Sequence, residues 1–130
     1  MIHEEICTYE VCKLAKEKGF PQHIGNDAYI VDNEYDDKYE VGCHYPIQFI
    51  PDYLPTIVAP TQSLLQRWLR EEKKWNIVVR MYNNEGYYWF IQNSKGELQE
   101  SYFTYADEMF ATYELALEDA LKYALENLVI

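Results

Sequence analysis

The sequence predicts a single α+β domain over residues 1–130, an antiparallel β-meander of three or more strands packed with three amphipathic helices. Residues 76–103 fall into three short, aromatic- and β-branched-rich runs, separated by the turn sequences Asn83-Asn84-Glu85-Gly86 and Ser94-Lys95-Gly96. That is the pattern of consecutive antiparallel strands. Residues 4–18, a central stretch at 59–77 and residues 113–128 instead repeat apolar side chains at helical spacing. A meander with one half-apolar face needs helices to cover it, which is the layering of α+β domains.

The first helix is expected over residues 4–18, with Cys7, Val11, Leu14 and Ala15 on one face and Glu5, Tyr9, Lys13 and Lys16 away from it. Gly19 can take the left-handed conformation that closes a helix, and Phe20 before Pro21 blocks continuation. Residues 28–31 and 39–45 read as short strands on either side of a turn-like acidic segment at 32–38. Residues 47–58 follow Pro46 and contain Pro51 and Pro55, so they are expected to be extended or looped, at best an edge strand.

The stretch at 59–77 reads as a helix that breaks directly into a strand. Leu64, Leu65, Trp68 and Leu69 form one apolar stripe, and Pro60 and Thr61 suit its start. Arg67, Arg70 and Lys74, at i, i+3 and i+7, are expected together on the face opposite Trp68. The strands that follow place Ile77, Val79 and Met81 on one face at 76–82. Tyr87, Trp89 and Ile91 share one side of the return strand at 87–92, with Tyr88 and Phe90 on the other. A third strand is expected at 97–103. The last helix has Thr112 as its N-cap, Glu114 in its first turn, and a stripe of Tyr113, Leu117, Ala120, Leu121, Ala124 and Leu128.

The net charge is −11, unevenly spread: residues 66–80 carry +3 and the remainder −14. An acidic field of this kind opposes non-specific binding to nucleic acid or to an anionic membrane surface, because phosphate affinity comes from many basic side chains releasing counterions. No apolar run approaches the length that spans a bilayer. Three cysteines without framework spacing, and Glu4 and Glu5 interrupting any leader-like apolar run, lead us to expect a cytoplasmic protein. Thirteen tyrosines suit sheet faces or a contact surface, since Tyr buries a large ring and keeps its hydroxyl wet.

The residues that carry chemistry elsewhere do not assemble into a signature here. His3, Cys7, Cys12 and His23 are close in sequence, but on a helix Cys12 would stand about 140° round the axis from Cys7, so no metal site is expected. Cys43 and His44 are adjacent, which on a strand sends them to opposite faces, so they are poorly placed as thiolate and base. The acidic cluster Asp32, Glu34, Asp36, Asp37 and Glu40 lacks the glycine and terminal glutamate of a calcium loop and reads as a solvated turn. The five glycines stand alone and make no phosphate-cradling loop. No catalytic residue, metal ligand or cofactor is assigned.

Four blocks resemble a known group: Lys13-Leu-Ala-Lys-Glu-Lys-Gly-Phe-Pro, Ala59-Pro-Thr-Gln-Ser-Leu-Leu-Gln-Arg-Trp-Leu-Arg-Glu, Trp75-Asn-Ile, and Thr112-Tyr-Glu-Leu-Ala-Leu-Glu-Asp-Ala-Leu-Lys-Tyr-Ala-Leu-Glu-Asn-Leu. In this order they are similar to small uncharacterised proteins of Bacteroidales phages and prophages. The resemblance implies a bacterial or phage-infected cytoplasm and an accessory role, and brings no site residues with it. Residues 22–58 and 83–111 match no block, and functional detail that varies between members is expected there.

The leading expectation is therefore a non-enzymatic accessory protein that acts by contact with a protein partner of the host or phage. One variant is an acidic inhibitor that imitates DNA. The alternative class is a nucleic-acid-binding module using Arg67, Arg70, Lys74 and Arg80. An enzyme ranks below both, because no nucleophile and base pair up. Homo-oligomerisation is compatible with each.

Overall fold

A computed structural model describes residues 4–34, 38–96, 98–100 and 109–130, the strand at 98–100 by its backbone. His3, Asp36, Asp37 and most of the third meander strand expected at 97–103 lie outside the described residues. Among the described residues the architecture is α+β, with three helices and two antiparallel sheets. These elements divide between two compact units, residues 6–61 and a second unit made by the N-terminal residues with 62–130.

In the unit of residues 6–61, β1 (Asp27–Ile30) lies between β2 (His44–Pro46) and β3 (Thr56–Val58), antiparallel to both. Helix α1 (Tyr9–Glu17) packs against β3. This helix begins five residues later than the periodicity predicts. Thr8 is the reason: its backbone is extended and its hydroxyl accepts from the Val11 N–H at 3.3 Å, the geometry of an N-cap. Upstream of it Ile6 bridges Thr61, and the Cys7 N–H donates to the Pro60 carbonyl at 3.0 Å. Cys7 is thus buried on extended backbone, and the helix buries Val11, Cys12 and Ala15, with Leu14 only half-buried. The core is completed by Phe20, Ala28, Tyr29, Ile30, Leu54, Ile57 and Val58.

The strand expected at 39–45 is shorter and later, because residues 40–43 form a turn. The Cys43 N–H reaches the Glu40 carbonyl at 3.2 Å, and Gly42, at φ +82°, donates to Ile30 at 2.8 Å. Residues 47–58 contain a 3-10 turn (Ile47–Phe49) and then β3, which is an edge strand as expected. Its Val58 N–H is taken up by the Gln22 side-chain oxygen at 2.9 Å.

The second unit holds α2 (Gln62–Glu72), the meander β4 (Asn76–Tyr82), β5 (Gly86–Gln92) and β6 (Leu98–Glu100), and α3 (Tyr113–Asn127). Ile77 faces Ile91 and Val79 faces Trp89 across β4 and β5, so these residues share the face buried beneath the helices. The Trp89 indole N–H donates to Asp119 of α3 at 2.9 Å, and its ring lies 5.3 Å from that of Tyr123. The buried stripe of α3 is Ala116, Leu117, Ala120, Leu121, Ala124 and Leu125. Relative to the expected stripe it is rotated away from Tyr113, which is exposed, and Leu128, which is half-buried. Thr112 caps the helix as predicted, accepting from the Leu115 N–H at 3.1 Å.

The hairpin turn is tight. Asn83 and Asn84 take φ +42° and +64°, a region Asn tolerates, and Gly86 takes φ +154° where β5 pairs with Phe110. A Cβ at Gly86 would stand 2.9 Å from the Phe110 carbonyl oxygen. Gly86→Ala is therefore expected to destabilise the protein by about 1–3 kcal/mol, read as a lower midpoint in urea at unchanged slope.

Candidate functional site

Arg67, Arg70 and Lys74, expected on one helix face, do not all lie on the helix, and Arg80 stands on the strand that follows. Arg67 is exposed and its guanidinium donates to Glu71 one turn on, at 3.1 and 3.2 Å. Arg80 lies on β4 with its guanidinium 5.2 Å from the centre of the Phe90 ring. Lys74 is not helical at all. Helix α2 stops at Glu72, the Trp75 N–H turns back to Leu69 at 2.9 Å, and Lys74 takes φ +64°. In this helix ending a lysine occupies the left-handed position usually given to glycine. The i+7 spacing from Arg67 consequently carries no facial meaning, because the helical period ends before it.

The same ending places Lys74 with Arg70 in the lining of a cavity of about 340 Å³. Its walls are Arg70 and Lys74, Asn76 at the start of β4, Gln92 at the end of β5, and Asn93, Ser94 and Gly96 of the turn into β6. Asn76 and Gln92 pair directly across the strands, and the Asn76 amide donates to the Gln92 side-chain oxygen at 3.2 Å. Gln92 in turn donates to the Gly96 carbonyl at 3.2 Å. The Lys74 ammonium donates to the Glu71 carbonyl at 2.8 Å. The alternation of β4 and β5 already places Asn76, Arg80, Phe90 and Gln92 away from the face of Trp89. Periodicity thus held part of this grouping, and the helix ending held the rest.

The thiols and imidazoles are distributed differently. Cys7 and Cys12 are buried, and the Cys12 thiol donates to the Cys7 carbonyl at 3.6 Å, while His23 is exposed. His44 Nδ1 lies 2.8 Å from Asp27 Oδ2, a contact made by the pairing of β1 with β2 and invisible at a separation of seventeen residues. The neighbouring Cys43 does not join it. Its Sγ donates to Glu40 Oε2 at 3.5 Å. That hydrogen bond exists only for the protonated thiol and holds Cys43 above the ordinary thiol range, with partial burial and the negative charge of Glu40 acting in the same direction. A thiol kept neutral is a weak nucleophile.

A third feature lies in the segment between β2 and β3. Ile47, Phe49 and Tyr53 are 43%, 63% and 62% exposed, although all three are large and apolar or aromatic. The segment bearing them is fixed. Pro46, Pro51 and Pro55 restrict its backbone, the Ile47 N–H donates to Asn26 at 2.9 Å, and the Leu54 N–H to Pro51 at 3.1 Å. The Tyr39 hydroxyl donates to the Phe49 carbonyl at 2.7 Å, and the Tyr39 ring packs edge-on against Tyr45 at 5.2 Å. Sequence reading found the prolines but had no way to show which side chains their loop presents.

Among the described residues no helix is long and apolar enough to cross a membrane. Comparison of the chain with protein-family models, curated proteins and solved structures gave no match.

The Glu40 contact makes a pH-dependent prediction. Because the carboxylate favours the neutral thiol, the thiolate of Cys43 forms only at a pH above its ordinary range. Glu40→Gln removes the charge and lowers that pKa, so iodoacetamide labelling of Cys43 at mildly alkaline pH should accelerate several-fold. Peptide mapping by mass spectrometry separates Cys43 from the buried Cys7 and Cys12, and the rate difference should shrink as the pH is raised further.

Proposed function

We propose that this chain is a non-enzymatic accessory protein of phage or prophage type, acting in a bacterial cytoplasm by binding another protein through the loop between β2 and β3. The observation that carries this reading is the presentation of Ile47, Phe49 and Tyr53 to solvent from a backbone that is already held in place. Large side chains of this kind leave water favourably when a partner covers them, and aromatic anchors dominate the binding energy of many interfaces. Holding the loop beforehand removes ordering entropy from the cost of association. The loop also falls in residues 22–58, outside the blocks that carry the phage-like resemblance, where differences in partner choice would be written.

The test is a double substitution, Phe49→Ser with Tyr53→Ser, in tagged protein used for capture from nuclease-treated bacterial lysate. Both side chains are exposed, so the unfolding free energy should move by no more than about 0.5 kcal/mol per site. A partner retained by the wild type should be lost by the variant, corresponding to about a hundredfold weaker binding if the pair are anchors. Sedimentation of both proteins alone identifies the case in which that partner is a second copy. Equal recovery by both proteins, or recovery only when nuclease is omitted, would overturn the reading.

A further inference from the structure

The cavity beside Arg70 and Lys74 belongs to the second unit and is independent of the loop between β2 and β3. Exposed cations need no ligand, since most are simply solvated. This pair differs in its surroundings. Among the described residues Arg70 has no hydrogen-bond or ion-pair partner, and Lys74 donates only to a main-chain carbonyl, so neither charge is met by a carboxylate. In a chain of net charge −11 that is a local inversion of sign, with two positive groups lining one cavity and no acidic side chain among its described walls.

The remaining walls define the rest of the ligand. Asn76, Gln92, Asn93 and Ser94 offer amide and hydroxyl groups, and no aromatic ring is among the described walls. The cavity, about 340 Å³, is larger than one oxyanion needs and falls at the lower end of the range of roughly 300–1,000 Å³ for small-molecule sites. A lysine in the left-handed position, where glycine is the less strained choice, adds a cation at this point at some conformational cost. We propose that the cavity binds a phosphate monoester carried on a small hydroxylated molecule, of the sugar phosphate class. The phosphate dianion is met by the fork of Arg70 and the ammonium of Lys74, and the hydroxyls by Asn76, Gln92, Asn93 and Ser94.

The test uses the full chain labelled with nitrogen-15 and titrated separately with glucose phosphate, glucose, inorganic phosphate, adenosine monophosphate and a single-stranded oligonucleotide. Glucose phosphate should shift the side-chain amide signals of Asn76, Gln92 and Asn93 and bind at least about tenfold more tightly than inorganic phosphate or glucose, with Kd about 1 mM or below. Arg70→Gln and Lys74→Gly should each weaken it about tenfold, and thermal melts of both variants verify that they fold. Lys74→Gly is the safer of the two, because φ +64° suits glycine. No response of these amides, or equal binding by both variants and the wild type, would overturn the site. Equal affinity for phosphate and glucose phosphate would overturn the sugar phosphate assignment. Preference for adenosine monophosphate or the oligonucleotide would overturn it in favour of a nucleotide or nucleic acid.

Discussion

The burial of Trp89 against α3 is the contact on which the second unit depends. Its ring fills the space beside Tyr123, and its one polar atom, the indole N–H, is satisfied by Asp119, so a large apolar group enters the core without stranding a donor. Side chains on a strand alternate, so seating Trp89 inward also seats Ile91 and its partner Ile77 inward. A slip of one residue would exchange the faces and drive Arg80, Phe90 and Gln92 toward the helices. The residues left on the outer face of β4 and β5 are thus a consequence of what Trp89 requires. Asn76 and Gln92, which line the cavity, are two of them.

Helix α2 is held to the same frame by a polar residue. Gln62 is 4% exposed, yet its main-chain N–H donates to Glu5 at 2.8 Å and its side-chain amide to the Glu114 carbonyl at 2.9 Å and Glu118 at 3.3 Å. A buried amide with its donors met ties the start of α2 to the start of α3, and it specifies geometry in a way that Leu65 and Leu69 alone do not. At the other end, Gln66 donates to the Ile77 carbonyl at 2.9 Å, which links the helix to the strand it feeds. With both ends fixed, Arg70 and Lys74 are delivered to one place, and Arg67 is left to pair with Glu71.

The unit of residues 6–61 solves a different problem. Its sheet is short, with strands of three or four residues, so side chains supply much of the order. Tyr29 donates its hydroxyl to the Cys7 carbonyl at 2.6 Å, and Gln22 and Asn33 reach main-chain groups of other segments. Short strands joined by proline-containing loops leave large residues such as Phe49 and Tyr53 without a face to enter. They are consequently displayed, and displayed on a stiff support.

What the sequence determined by itself was local and periodic. Apolar spacing located three helices and the β4–β5 hairpin, Thr112 announced its helix, and alternation sorted Trp89 from Phe90, because each depends on residues within a few positions of one another. The tertiary structure decided the remainder. Thr8 prevailed over an apolar pattern that ran back to residue 4, because Cys7 is held extended by Pro60, more than fifty residues away. Lys74 left the helix because the chain had to turn back toward Leu69 and enter β4. The pairing of Asp27 with His44, the exposure of Phe49 and the placing of Arg70 and Gln92 around one cavity all arise from segments distant in sequence. Periodicity reports which face a residue takes on its own element, and only packing settles what that face meets.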